Sequence, residues 1–264
     1  MKFFRFNDLS KLDNNKNIFF RKYEFVLSLF EQAKYRDDPF ILISGNSDYP
    51  VTDELLSMAP PSLKKWFCQV VQVDSPLVVP VPFGLENTEE CAVEMQGSVP
   101  GPWRTLKKET LETPPQRDPT KEVYANFNFG NYFGRNRVAQ ICQNLPHITC
   151  HIYNKPQDHA PLSFYDYALN ILDHKMVVCP RGNAPADTHR LWEVIRFGRV
   201  PIVKSKFPLE SFLEAPIIAL SDWNQLSDLD FLNSEYERVK NNPKDLAYSI
   251  YWENLITGWA NKIL

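Results

Sequence analysis

The sequence predicts an α/β protein of two lobes that face each other across a cleft. From residue 123 onwards, short β-branched runs alternate with helical patterns at the spacing of parallel βαβ units. A less regular α/β layer precedes them. Between the two, residues 96–120 are rich in proline and charge, which indicates a linker or an excursion. The length of 264 residues suits two small domains. We therefore predict lobes at 1–95 and 121–244.

The N-terminal lobe contains an amphipathic helix and several apolar strands. Phe25 and Leu29 lie on the apolar side of the helix. Pro80 and Pro82 restrict the last apolar run to an edge or irregular strand, because proline cannot donate a hydrogen bond to a sheet. The segments are the helix 22–34, the strand 39–44 with a turn-rich stretch 45–50, and the apolar runs 63–73 and 75–85.

The C-terminal lobe alternates strands and helices regularly, which predicts a parallel sheet with helices on both faces. The predicted strands are 123–129, 148–153, 175–179, 200–203 and 216–220, and the predicted helices are 135–145, 164–174, 188–198 and 208–214. The tail 246–264 is one aromatic-rich amphipathic helix. We expect it, with residue 245, to pack back on the N-terminal lobe.

Composition excludes several classes of function. The net charge is −3 and no basic run exceeds two residues, so a nucleic-acid partner is not expected. No apolar run approaches the length of a membrane span, and residues 1–15 lack the apolar core of a signal peptide. The five cysteines form no CxxC pair, which favours a reducing compartment. These features predict a soluble cytoplasmic protein; the oligomeric state stays open.

The stretch CPRGNAPADTHRLWEVIRFGRVPIV, residues 179–203, concentrates ionisable groups between two apolar strands. Its loop follows a strand and precedes a helix that Asp187 is predicted to cap. Backbone N–H groups at a helix N-terminus attract phosphate, and Gly182 would let the backbone approach it closely. Arg190 and Glu193 follow Asp187 at intervals of three. They suit phosphate and ribose contacts, or alternatively a solvated charge ladder.

The same residues resemble a known family. RGN…DTHRLWE…FGRVPIV is similar to the C-terminal signature of exostosin-like glycosyltransferases (family 47 and relatives), with Glu193, Gly198 and PIV at 201–203 in matching places. NSDYPV and VPFGLEN extend the resemblance. It implies a GT-B fold of two Rossmann-like lobes, a nucleotide sugar on the C-terminal lobe, no metal, and inversion at the anomeric carbon. Among small members, the chain most resembles chlorovirus capsid-glycan enzymes, including a β-xylosyltransferase, which implies the host cytoplasm.

Two departures from related patterns matter. Animal exostosins carry an N-terminal membrane anchor, which this sequence does not show. Retaining GT-B enzymes commonly have Glu-x7-Glu, and the position eight before Glu193 is Pro185. The second departure favours inversion.

Inversion needs a general base that takes the proton of the acceptor hydroxyl. Asp48 is the first candidate, because it follows the strand 39–44 where that strand would reach the cleft; it could instead shape an Asx turn. Asp74 is the main rival, followed by Asp53 and Glu86.

The leaving diphosphate needs positive charge. Arg135, Arg181 and Arg190 form a predicted clamp. The other predicted donor-binding residues are Asn128, Gly182, Asp187, Thr188, His189 and Glu193. Asp228 and Asp230 imitate a DxD metal motif but apparently open a helix, so no metal is expected.

The predicted function is sugar transfer, possibly of xylose, from a UDP-sugar to a glycan hydroxyl, with no cofactor. A catalytically inactive glycan- or nucleotide-binding module and a GDP-sugar transferase are the alternatives. A dinucleotide-dependent oxidoreductase is disfavoured, because no GxGxxG follows a predicted strand.

Overall fold

The structure is a computed structural model that describes residues 1–14, 16–87, 101–130, 132–153 and 162–263, with side chains of 101–106 left out. Within these residues the chain forms two parallel β-sheets, one in each half of the sequence. Helices connect most of the strands. The predicted α/β class with two lobes is therefore confirmed.

The N-terminal sheet has four parallel strands in the order β1-β2-β3-β4. Alternate residues of β2 point to opposite faces, so that Ile41 and Ile43 enter one apolar core and Phe40 and Leu42 another. Pro80 ends the short edge strand β4, where its missing N–H is tolerated. The strands are β1 (Ile18–Lys22), β2 (Phe40–Gly45), β3 (Leu63–Cys68) and β4 (Val78–Pro80).

The C-terminal sheet has five parallel strands in the order β6-β5-β7-β8-β9. The chain moves outward in one direction from β5 to β6 and in the other from β7 to β9. The strand order thus reverses between β5 and β7, and ligands of such sheets bind at the carboxyl ends at this point. The strands are β5 (Lys121–Asn128), β6 (Ile148–Tyr153), β7 (His174–Val178), β8 (Val200–Lys204) and β9 (Ile218–Leu220).

Eight α-helices are present in the described residues. The predicted helices 135–145, 164–174, 188–198 and 246–264 are present within a few residues, and 208–214 holds only a 3-10 turn, Leu209–Phe212. Leu229–Val239 is a further helix, which the sequence indicated only by its start near Asp228. The helices are α1 (Val26–Ala33), α2 (Asp53–Ser57), α3 (Gly101–Glu112), α4 (Arg135–Gln143), α5 (Phe164–Leu172), α6 (His189–Arg196), α7 (Leu229–Val239) and α8 (Ser249–Ile263).

Helix α8 packs on the N-terminal lobe, as predicted. The ring of Trp252 lies 6.0 Å from that of Phe4, and Lys65 of β3 lies 4.2 Å above the ring of Trp259. Lys11 and Glu253 add an ion pair at 2.8 Å. A single apolar core, which includes Phe4, joins the two lobes.

Helix α3 lies inside the segment predicted as a linker, and the sequence reading missed it. The prolines that suggested a linker instead delimit the helix: Pro102 stands in its first turn, where no N–H is required, and Pro114 follows its end. Residues 96–100, the start of the predicted linker, lie outside the described residues, as do residues 88–95 before them.

Candidate functional site

A cavity of about 650 Å³ lies at the carboxyl ends of β5, β7, β8 and β9, where the strand order of the C-terminal sheet reverses. Helix α4 begins at its wall. The charged side chains that line it are five cations and one carboxylate: Arg135, Arg137, Arg181, Lys204, Lys206 and Asp222. Together with the N-terminal N–H groups of α4, this lining favours an anionic ligand.

Arg135 forms part of the cavity wall. Its guanidinium donates hydrogen bonds to the backbone carbonyls of Asn128 at 2.8 Å, Arg181 at 2.7 Å and Pro180 at 3.3 Å. Burial and the nearby charge of Arg190 lower the pKa of Arg135 to about 10. Arg135 therefore holds the loop after β7 against the end of β5, and most of its donors are already in use.

Arg181 is more available to a ligand. Its guanidinium lies 4.2 Å above the ring of Tyr132, which supports it by a cation–π contact. Among the described residues, it donates hydrogen bonds only to the carbonyls of its neighbours Gly182 and Asn183. A side chain at Gly182 would meet Thr188 and Arg135 at ordinary contact distances, 3.8 and 3.9 Å. The described structure itself does not require glycine there.

Asn128 closes the end of β5. Its side-chain oxygen accepts a 2.7 Å hydrogen bond from the N–H of Gly130, so this side chain shapes the loop after the strand. Asn128 is 8% exposed and does not line the cavity. Its contribution to the cavity is the carbonyl that anchors Arg135.

Asp187 does not cap α6, which corrects the sequence-based expectation. Thr188 is the residue before the first turn, and no side chain caps the helix. Asp187 instead accepts hydrogen bonds from the N–H of Phe83, at 2.9 Å, and from the indole of Trp192. Burial raises the pKa of Asp187 to about 6. The carboxyl group thus ties the N-terminal lobe to α6 rather than facing a ligand.

His189 also contacts the N-terminal lobe. Its Nδ1 lies 2.8 Å from the carbonyl oxygen of Gly84, and its ring meets the edge of Phe83. Because a carbonyl can only accept, Nδ1 carries the hydrogen and Nε2 keeps a lone pair. Burial lowers the pKa of His189, so the ring is neutral at pH 7.

Glu193 lies in a buried ion network. Its carboxylate accepts from Lys107 of α3 at 2.7 Å and from the hydroxyl of Tyr167 at 3.1 Å, and only 6% of its side chain is exposed. Lys107 also contacts Glu86 at 2.6 Å. Burial is the largest influence and tends to raise the pKa of Glu193, but the charge and hydrogen bond of Lys107, together with the charges of Arg190 and His189, outweigh it and lower the pKa. Arg190 donates to the same Tyr167 hydroxyl at 3.2 Å.

The predicted donor-binding residues therefore fall into two neighbouring groups. Arg135 and Arg181 line the cavity. Asp187, His189, Arg190 and Glu193 do not line it: the first two contact the N-terminal lobe, and the last two contact Tyr167. Cys179 lies between them: it lines the cavity and also lies close to the charges of Arg190 and Glu193.

The two predicted base candidates lie in different places on the N-terminal lobe. Asp48 is exposed on the loop after β2, at the carboxyl end of the sheet. Asp74 is exposed on the connection that returns from the carboxyl end of β3 to the amino end of β4. Of the two, only Asp48 lies on a loop that leaves the carboxyl edge directly.

Sequence reasoning missed Lys107, Lys204 and Lys206. Lys204 ends β8, and Lys206 follows it at the carboxyl edge, so their position after a predicted strand was a usable signal. Lys107 had no such signal. It stands beside Lys108 in a charged stretch, and only the packing of α3 shows that one lysine is buried and the other exposed.

The DxD-like tripeptide serves as a helix start. The side chain of Asp228 accepts a 2.9 Å hydrogen bond from the N–H of Phe231 and so caps α7. Across the described part of the chain, no group of three or more His, Cys, Asp or Glu side chains could hold a metal ion. In the same residues, no helix is both long and apolar enough to cross a bilayer.

Fold and site together define an α/β protein of two parallel-sheet lobes, with a cationic cavity at the switch point of the second sheet. This architecture is compatible with the GT-B class. No protein-family model matches the chain, and no curated protein matches it.

Among solved structures, the chain is similar to Anabaena Alr3699/HepE, whose crystal structure is in complex with UDP and glucose. The TM-score is 0.40 at 10% sequence identity, and the match covers 98% of this chain and 83% of that chain.

Proposed function

We propose that the protein is a glycosyltransferase that moves a sugar from a UDP-sugar to a glycan hydroxyl with inversion. The observation that carries the proposal is the cationic cavity at the reversal of strand order, beside the N-terminus of α4. Its volume, about 650 Å³, is within the usual range for small-molecule sites. A nucleoside diphosphate combines the negative charge and the size that this cavity favours.

The proposed reaction is a single displacement. The acceptor oxygen attacks the anomeric carbon, the bond from that carbon to the diphosphate oxygen breaks, and the electron pair leaves with the diphosphate. Arg181, Lys204 and Lys206 would stabilise the charge that develops on the leaving oxygen. In this proposal they take the part that a divalent ion takes in metal-dependent transferases.

The sequence resemblance supports three further parts of the proposal, which are xylose as the sugar, membership of the exostosin-like group and a viral origin. Sequence position suggests Asp48 or Asp74 as the base. We also propose a ribose contact from Glu193. The Glu193 carboxylate already accepts from two partners, Lys107 and Tyr167. A ribose contact therefore requires either that the Lys107–Glu193 ion pair breaks or that the ribose hydroxyls donate to the remaining lone pairs of the carboxylate.

Calorimetric titration with UDP in the presence of EDTA tests the donor site. We expect UDP to bind, and Arg181→Ala to weaken binding about tenfold to a hundredfold, since it removes a charge-assisted contact. Arg238→Ala is the matched control, because Arg238 is exposed on α7 and paired with Glu235.

Each outcome of this titration has a distinct meaning. The absence of nucleotide binding by the wild type would overturn the proposal. A preference for GDP would move it to a GDP-sugar transferase. Binding of UDP without turnover of any UDP-sugar would favour the inactive binding module.

A further inference from the structure

His189 lies where the two lobes meet. It is the first residue of α6, and its Nδ1–H donates to the carbonyl of Gly84, in the segment that follows β4. Phe83 covers the ring edge-on, with centroids 5.5 Å apart. A hydrogen bond and a ring contact therefore fix both the tautomer and the orientation of the imidazole.

The other ring nitrogen has a lone pair that is available to a proton. Nε2 forms no hydrogen bond to any described residue, and the side chain is half-buried. The ionisable groups around the ring are Glu86 after β4, Lys107 of α3, Glu193 of α6 itself, and Asp187 two residues earlier. Burial dominates over these groups and keeps the pKa of His189 below its ordinary value.

His189 does not itself line the cavity, but Ala186 and Pro185, three and four residues earlier, do. Thr188, the neighbour of His189 in the chain, would touch a side chain at Gly182 at 3.8 Å, and Gly182 is adjacent to Arg181, which lines the cavity. A sugar attached to a diphosphate at Arg181 would thus be near the junction of the lobes. Asp48, in contrast, lies on an exposed loop of the N-terminal lobe.

We infer that His189 is the general base of the transfer, in place of Asp48. This inference rests on the proposed function. Nε2 takes the proton of the acceptor hydroxyl as the acceptor oxygen bonds to the anomeric carbon and the bond to the diphosphate breaks. The proton leaves the imidazolium to solvent after the UDP departs. His189 is then a catalytic residue rather than a nucleotide ligand.

The test measures UDP release from UDP-xylose and UDP-glucose, with water and a panel of methyl glycosides as acceptors. His189→Asn is the test variant, because the asparagine amide can still donate to the Gly84 carbonyl but offers no base. His147→Asn is the matched control: His147 also hydrogen-bonds a carbonyl, that of Leu226 at 2.9 Å, but lies at the start of β6.

We expect His189→Asn to bind UDP like the wild type but to form UDP from the UDP-sugar at least about a hundredfold more slowly, while His147→Asn stays active. The wild-type rate should fall as the pH drops below the ordinary histidine range, and this fall should vanish in His189→Asn. Asp187 is present in both proteins and cannot cause the difference.

Two results would overturn the inference. One is a His189→Asn variant that binds UDP and forms UDP from the UDP-sugar at the wild-type rate. The other is a loss confined to Asp48→Asn, which would assign the base to that carboxylate. Failure of the wild type to bind UDP is a different result, because it removes the proposed function itself.

Discussion

Asp187 shows at the scale of one residue how burial sets the chemistry of a carboxyl group. It is 4% exposed, and one of its oxygens has no hydrogen-bond partner among the described residues. Its sequence position, just before a helix, is typical of a capping residue. Tertiary contacts with Phe83 and Trp192 overrode that local preference.

The raised pKa of Asp187 predicts a pH effect on stability. The folded protein holds the proton up to a pH of about 6, whereas the unfolded chain releases it near 4. The free energy of unfolding should therefore fall between these values as the pH rises, by up to about 3 kcal/mol. We expect Asp187→Asn to lack this component, so that the difference between wild type and variant in urea unfolding changes between pH 4 and 7. A pH-independent difference would contradict the prediction.

Lys107 shows that the environment of a residue can depend entirely on partners far away in the chain. A lysine that is 6% exposed is rare unless it is paired, and here Glu86 and Glu193 supply the pairing. Its partners stand 21 residues earlier and 86 residues later in the chain. No spacing rule links such positions, because the pairing depends on how α3 lies between the lobes.

At the scale of the element, α6 ends at a residue that the sequence pattern could identify. Gly198 follows the helix with φ +73°, a left-handed conformation that glycine adopts without strain. The N–H of Gly198 bonds the carbonyl of Ile195 at 3.0 Å. The helix therefore ends at a defined point, and β8 begins two residues later.

Two glycine substitutions test how the backbone conformation at each site sets the effect of glycine on stability. Gly198→Ala should lower the free energy of unfolding by about 1 kcal/mol, because a Cβ is disfavoured in the left-handed region even though nothing lies within 4 Å. Gly258→Ala, in the interior of α8 and equally open, should raise it by up to about 1 kcal/mol. Chemical denaturation measures both; equal signs would contradict the interpretation.

At the scale of the whole molecule, one apolar core connects the lobes. It contains Phe4 and Phe67 from the N-terminal lobe together with Tyr124 and Trp192 from the C-terminal lobe. Residues 83–86 add polar links to Asp187, His189 and Lys107. The lobes are thus joined by burial as well as by specific contacts.

This shared core predicts a single unfolding transition. Far-UV circular dichroism and tryptophan fluorescence should give coincident thermal curves, because neither sheet loses the common core without the other. Trp66 reports on the N-terminal sheet and Trp192 on α6 of the other lobe. Variants in which either tryptophan is replaced by phenylalanine should show the same midpoint with both probes. Two separated transitions would mean that the lobes unfold independently.

The sequence by itself determined the α/β class, most strand and helix positions and the edge of the second sheet at which the cavity lies. These follow from local periodicity and from the rule that loops at the carboxyl ends of parallel strands form sites. The tertiary structure decided which charges face the cavity and which are buried: Arg181 lies open, Arg135 is bonded to carbonyls, and Glu193 is paired with Lys107. The physical reason is that burial and pairing depend on contacts between residues far apart in the chain, which spacing alone does not record.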